Sequence, residues 1–361
     1  MDDEKVVSRF LWILILVLVI LICVYYFYYL AGLEARECGA IANLYATLNG
    51  NLRSLNAGDP NCGYTLKDYY IKTAYNACSG GKYKNDYVSI CVLQSILTQG
   101  VRALDFEIYS INDTPVVATS TLDSYYVKET YNYVNFSNVM QTISNYAFSN
   151  SHCPNPSDPI VLHLRIQSAN PAVFSNLAAL FESHSALMLD KSFSYENQGK
   201  NLGDTPLLSL LGKIVLIVDR TNTHILNNAK FMEFVNMTSN SVFMRNLTLN
   251  QVVNTPDLQE LQTFNQQNMT LVTPDVGANP PNTNGVVVRA AGCQFIAQRY
   301  PYVDNYLEEN TFFFDTHGYA FVLKPENLRY VPIKVAAPVP QNPELNYAPR
   351  TVSSSYYNFT I

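Results

Sequence analysis

The sequence predicts an α/β chain, a closed barrel of strands alternating with helices, carried behind one membrane-crossing helix. Three observations predict it. Residues 66–332 alternate short apolar runs with segments of helical period, the pattern of a parallel sheet with crossover helices. Several of those runs are apolar on both faces until their last residues, as strands covered on both sides must be. Phe10–Leu33 is a run of 24 residues without a charge, and a transmembrane helix needs about 20.

Residues 1–9 form a short tail with Lys5 and Arg9 before the apolar run, and Glu34 and Arg36 close it on the other side. A cleaved signal peptide would have an apolar core of only about 7–15 residues, so a retained span is expected at 10–33. Tyr25, Tyr26, Tyr28 and Tyr29 crowd one end, where an aromatic belt belongs. The basic residues ahead of the span put the N-terminus in the cytoplasm and the body on the non-cytoplasmic side. Residues 34–65 read as a helical or irregular stem. Strands are expected at Tyr69–Tyr75, Val101–Ile108, Pro115–Ala118, Ile160–Ile166, Ile214–Asp219, Gln294–Gln298 and Ala320–Leu323. Helices are expected at Ser89–Leu97, Asn138–Phe148, Pro171–Ser183 and Thr205–Leu211, the last started by Asp204 as N-cap and stopped by Gly212. A tail at 333–361, with Pro332, Pro338, Pro340, Pro343 and Pro349 in and beside it, is expected to lack regular structure.

Hydrophobic residues make up 48% of the chain and charged ones 14%, which excludes a disordered, solvating protein. The net charge of −6 argues against nucleic acid as a partner, since that needs basic surface. The richness in Asn, Tyr, Ser and Thr fits an AT-rich genome such as that of a large DNA virus, which would place the anchor in a viral or host membrane. Six cysteines follow the span, enough for three disulfides in fifteen pairings; Cys78 and Cys91 could pair or be free. No Cys-x-x-Cys occurs, so no zinc site is expected. Six N-x-S/T sequons leave the compartment open, because chance supplies several in such a composition.

Two strands carry chemistry. Along Val101–Ile108, Ala103, Asp105 and Glu107 share one face; along Ile160–Ile166, Val161, His163 and Arg165 do. Facing inward at the carboxyl end of a barrel, where such folds build their sites, these four polar residues would meet.

These stretches resemble phosphoinositide-specific phospholipase C. Gly100-Val-Arg-Ala-Leu-Asp-Phe-Glu-Ile108 resembles the family's Gly-x-Arg-x-x-Glu-x-Asp strand, and Pro115-Val-Val the strand after it. Ile160–Ile166 resembles its Val-Ile-Leu-Ser-Leu-Glu-Asn strand and Leu211-Gly-Lys-Ile-Val-Leu216 its Lys-Gly-Lys-Ile-Leu-Leu strand, all in the X half, about 66–220. Ala291–Ala297 and Gly318-Tyr-Ala-Phe-Val-Leu-Lys-Pro-Glu-Asn-Leu-Arg329 resemble the Y half, about 270–332. The resemblance implies a TIM-like (β/α) barrel and phosphodiester cleavage by two histidines with, in eukaryotes, a calcium ion.

This chain departs from that pattern. Tyr75 stands at the first histidine position, followed by Asn76, which matches a metal ligand; Thr119 and Ser120 stand where the second histidine belongs. Neither Tyr nor Thr nor Ser replaces an imidazole at neutral pH unaided. Asp105 and Glu107 keep two carboxylates, but Arg165 replaces the third. Calcium wants 6–8 oxygen ligands, so Arg165 is expected to occupy the calcium position, with Asn76, Asp105 and Glu107 as residual ligands and no metal bound. The phosphate-binding lysines are missing and only Arg220 is basic there. Asp105 and Glu107 are therefore expected in a buried ion network with Arg102 and Arg165, a residual metal or phosphate site being the alternative. His163 is expected as a satisfied core residue, with recruitment as a proton-transfer group as the alternative; Tyr75 is expected to fill the vacated pocket. His317 would approach the mouth if its loop folds over it. The functional expectation is a membrane-anchored, inactive phospholipase C-like scaffold or binding module, with the lipid bilayer, a phospholipid or inositol phosphate and an unknown protein as partners. The alternative is an active phosphodiesterase with a rebuilt site.

Overall fold

The computed structural model describes residues 2–121, 126–331, 338–339 and 348–361. Strands form where the apolar runs are: β1 (Tyr69–Ala74), β2 (Ala103–Ile111), β3 (Thr114–Val117), β4 (Val134–Asn135), β5 (Ile160–Ile166), β6 (Ile214–Asp219), β7 (Met237–Ser239), β8 (Met244–Thr248), β9 (Met269–Thr273), β10 (Phe295–Gln298) and β11 (Phe321–Leu323). Eight of them make a parallel sheet in the order β7-β6-β5-β2-β1-β10-β9-β8. The end strands approach through the turn at 240–243, where Ser241 N donates to Met244 O at 3.0 Å, so the barrel is nearly closed.

Period-2 alternation sorts the side chains into two cores. Ala103, Val161, Val215, Ile217, Met237, Leu271, Phe295 and Ala297 fill the barrel. Leu104, Phe106, Leu162, Leu164 and Val218 face outward onto α3 (Ile90–Thr98), α4 (Phe136–Tyr146) and α5 (Pro171–Ser183), through Ile96, Phe136, Phe174 and Phe181. Helix α5 has the expected bounds, with Asn170 as its N-cap and Pro171 in the first turn.

Two of the expected strands form but pair antiparallel, and one helix expectation is corrected. The run at Pro115–Ala118 is a strand, but it returns antiparallel on β2 and lies off the barrel path. The cause is a two-residue hairpin turn, Asn112 (φ 47°) and Asp113 (φ 64°), residue types that tolerate the left-handed region. The last expected strand, β11, runs antiparallel on β1. Thr205–Leu211 is not an α-helix: only Leu207–Leu210 forms a 3-10 turn, and Asp204, expected as N-cap, instead closes the preceding turn and pairs with Lys67. Between Asp219 and Gln294, where no strand was expected, β7, β8 and β9 complete the barrel.

Ahead of the barrel, helix α1 (Asp2–Ala31) includes an exposed stretch, Lys5–Ala31, whose apolar 18-residue window has a mean hydropathy of 3.0 and which is long enough to cross a membrane. After Gly32 the chain enters α2 (Leu33–Leu44), which a Cys38–Cys91 disulfide ties to α3; Cys78 stays free and buried. Residues 331–361 are a separate unit. Its described part pairs Thr351–Ser353 with Asn358–Thr360 as an antiparallel ribbon, regular structure where none was expected. Pro332, Pro340 and Pro343 lie outside the described residues.

Candidate functional site

The parallel register of β2 and β5 sets Asp105 beside His163 and Glu107 beside Arg165. All four are buried at the carboxyl end of the barrel, together with Asn76 just past β1. Arg165 is the hub. Its Nε donates to Asp105 Oδ1 at 3.0 Å and its Nη2 to Asp105 Oδ2 at 2.7 Å and Asn76 Oδ1 at 3.0 Å. Its Nη1 lies 3.0 Å from Glu107 Oε1. The guanidinium plane sits over the Tyr75 ring, 4.6 Å from its centroid. Asn76, held at φ 45°, donates its Nδ2 to Glu107 Oε1 at 2.9 Å. The other carboxylate oxygen of Glu107 accepts from Tyr109 Oη at 2.7 Å and Ser120 N at 3.0 Å.

His163 is engaged at both ring nitrogens, Nδ1 with Asp105 Oδ1 at 2.7 Å and Nε2 with Ser239 Oγ at 2.8 Å. Burial pushes the Asp105 carboxyl upward, but the Arg165 charge and the His163 hydrogen bond outweigh it and hold the group well below the usual carboxylate range. For Glu107 burial wins over Arg165, Asn76 and Tyr109, and the carboxyl is raised.

Four placements differ from expectation or extend it. Arg102 does not join the network. It faces the outer layer, where its guanidinium donates to Ala147 O at 2.9 Å and to Asn155 Oδ1 at 3.0 Å. Arg220 turns away toward Glu196, with Nη1 3.8 Å from Oε2. Thr119 donates to Tyr83 O at 3.0 Å, and Ser120 Oγ lies 3.2 Å from Glu129 Oε2. His317 ends a helix at the opposite, amino end of the barrel, bonded to Phe313 O at 2.7 Å, beside a cavity lined by Arg53, Asp59, Cys62 and Tyr319. Two participants were not foreseen. Tyr109 continues the 105–107 face and was readable from the period; Ser239 sits on a three-residue strand too short to show one.

The mouth beside Arg165 opens into a cavity of about 170 Å³ lined by Tyr126, Gln167, Asp219, Thr221 and Asn222, smaller than the ~300–1,000 Å³ of ordinary ligand pockets. The donor set does not fit a calcium ion. The same guanidinium contacts the side chains of Asn76, Asp105 and Glu107, and a cation among its ligands is what calcium cannot accept. Among the described residues, no group of three or more His, Cys, Asp and Glu side chains is arranged to hold a metal ion.

Comparison with known proteins bears on this architecture. Residues 63–220 match the family described as Phosphatidylinositol-specific phospholipase C, X domain. Among solved structures, PLC21 of L. pealei superposes with a TM-score of 0.61 at 18% identity over 75% of this chain and 38% of that one. PLC21 of S. officinalis gives 0.59 at 18% identity over the same shares. The chain thus spans 38% of the length of each of these two proteins, and the likeness is one of fold. No curated protein matches the sequence.

Proposed function

From the X domain of the phosphatidylinositol-specific phospholipase C family that residues 63–220 carry, we propose that this chain is a membrane-anchored member that has lost phosphodiesterase activity and serves as a scaffold or binding module at a membrane. The observation that supports it is Arg165, whose guanidinium contacts Asn76, Asp105 and Glu107 within 3.0 Å. Arg165 acts as an internal cation that neutralises the carboxylates where the family would use a metal. No imidazole stands at Tyr75, Thr119 or Ser120 to move the protons that phosphodiester cleavage requires. His163, the remaining imidazole nearby, is only 5% exposed and hydrogen-bonded at both nitrogens, which leaves neither free to meet a substrate. Helix α1 supplies the anchor, with the barrel on the non-cytoplasmic side, a placement the Cys38–Cys91 disulfide favours.

The test uses full-length protein in phosphatidylinositol vesicles. Wild type is expected to release no inositol phosphate and to show no calcium-dependent rise in Tm. Arg165→Glu, which places a third carboxylate in the cluster, is expected to lose stability in chelator and regain it with calcium. Calcium stabilisation of the wild type, or turnover abolished by His163→Ala, would refute the proposal, and the second result would assign a rebuilt phosphodiesterase.

A further inference from the structure

The stem helix α2 meets the barrel through two carboxyl groups and no cation. Glu37 of α2 is hydrogen-bonded to Asp86, and its Oε2 lies against Gly80, where any added side chain would strike it. Asp86 is buried. Its oxygens already serve as acceptors, Oδ2 for Lys82 N at 2.8 Å and Oδ1 for Tyr87 N at 2.9 Å, so Glu37 is the partner that must donate. Two ionised carboxylates have no hydrogen between them. The contact therefore exists only while the pair shares a proton.

No neighbouring cation replaces that proton. On α2 itself Glu34 adds repulsion, and Arg36 offsets little of it, its Nη2 being turned back to Tyr29 O at 2.6 Å. In the loop that carries Asp86, Lys84 pairs with Glu129 at 2.8 Å, and Lys82 reaches Asp86 through its backbone N–H. Helix α3, packed on α2, has Cys91 and no charged side chain. Burial and the Asp86 carboxyl together push Glu37 up to about 9. The pair sits at a joint. Gly32 separates α2 from α1, and Cys38, next to Glu37, is bonded to Cys91. Beyond it Ile41 is buried in the outer core and Tyr45 Oη donates to Tyr300 O at 2.8 Å. The far part of α2 is thus fixed to the barrel, and Glu37 governs the part between Gly32 and Cys38.

We propose that Glu37 and Asp86 form a proton-dependent clasp at the joint between α1 and the barrel, closed while they share a proton and opened by its loss. A group that binds its proton more tightly in the fold contributes its full stabilisation below the unfolded value and loses it as pH rises through the folded one. The clasp is therefore tightest below about pH 4.5 and weakens by up to about tenfold per pH unit on the way to about pH 9. The barrel is held stiffly to α1 in acidic surroundings and moves more freely on it in alkaline ones, whichever side of a membrane it occupies.

The Cys38–Cys91 disulfide, one residue from Glu37, reads the joint. Full-length protein in detergent is exposed to a phosphine reductant between about pH 5 and about pH 9, and reduction is followed by alkylation and mass spectrometry. The reference is Glu37→Gln, whose amide donates to Asp86 without titrating; dividing by its rate removes the pH dependence of the reductant. The wild-type rate relative to Glu37→Gln is expected to rise by up to about tenfold per pH unit. Glu34→Gln is expected to end that rise at lower pH without abolishing it, and Glu37→Ala to be reduced quickly at every pH. A second measurement reads the proton itself: the infrared spectrum of wild type minus Glu37→Gln at neutral pH is expected to contain a protonated-carboxyl C=O band. A rate ratio that does not change with pH, a Glu37→Ala reduced as slowly as Glu37→Gln, or a difference spectrum without that band would each overturn the clasp.

Discussion

Arg165 is nearly dry: with a side-chain exposure of 3%, its charge lies against Asp105, Glu107, Asn76 and the Tyr75 ring. Removing one member of a buried ion cluster costs more than the cluster contributes, because the partners are left charged and dry. Arg165→Ala is therefore expected to lose about 3–5 kcal/mol, read as a drop in denaturant midpoint at unchanged slope. Arg165→Lys is expected to stay well below wild type, since a point charge cannot bridge two carboxylates and an amide as a planar fork does. A variant within error of wild type would mean that the cluster is wet and relaxed. Much of this site was legible. Strand alternation alone put Asp105, Glu107, His163 and Arg165 on facing surfaces, and the register joined them. Arg102 was misread for charge against geometry: it shares the outward parity of Leu104 and Phe106, and its partners are backbone carbonyls, Asn155 and Cys153 that no local pattern announces.

At the scale of elements, two local ties hold the rim and the stem. Glu129 is kept near pKa 2 by Lys84 first and then by Thr121 and Ser120, against 4.5 in the absence of these partners. A carboxyl depressed in the fold contributes its full stabilisation above the unfolded value and loses it as pH falls toward the folded one. Acidification from about pH 4.5 to about pH 2 is thus expected to release the 126–133 segment, seen as new proteolytic cleavage there, and Glu129→Gln is expected to show that cleavage already at neutral pH. Cleavage independent of both pH and Glu129 would show the rim is tied elsewhere. The second tie, Cys38–Cys91, closes 53 residues of chain; Cys38→Ser is expected to cost about 2–4 kcal/mol in a denaturant melt. That pairing was one of fifteen and had no sequence signal, because it depends on α2 packing on α3. Helix α5 was legible to the residue because Asn170 and Pro171 mark its start locally. The segment 205–211 was not, because its Leu and Gly spacing suits a short 3-10 turn as well as a helix, and the pairing of Asp204 with Lys67 decides it.

For the whole molecule, β1 is where the halves of the chain become one barrel. One edge of β1 carries β2, from within residues 63–220; its other partners, β10 and β11, come from beyond residue 290. Lys72, fully buried in β1, donates to Gln99 O at 2.9 Å and lies 3.8 Å from Asp315 on a helix of the other half. Residues 63–220, though they match a family by themselves, would leave β1 and β6 as open edges. Val161, Val215 and Ile217 would then face water where Leu271, Phe295 and Ala297 now cover the barrel interior. Unpaired edges beside bare apolar faces aggregate. The segment 63–220 expressed alone is therefore expected to be insoluble or to lack a cooperative transition, and co-expression with 221–330 is expected to return a soluble complex. The intact chain is expected to unfold in one transition, coincident by far-ultraviolet circular dichroism and by tyrosine fluorescence. A monomeric 63–220 segment with its own sharp melt would show instead that the X half is a folding unit and that the β1 ladder to β10 and β11 is only a docking contact.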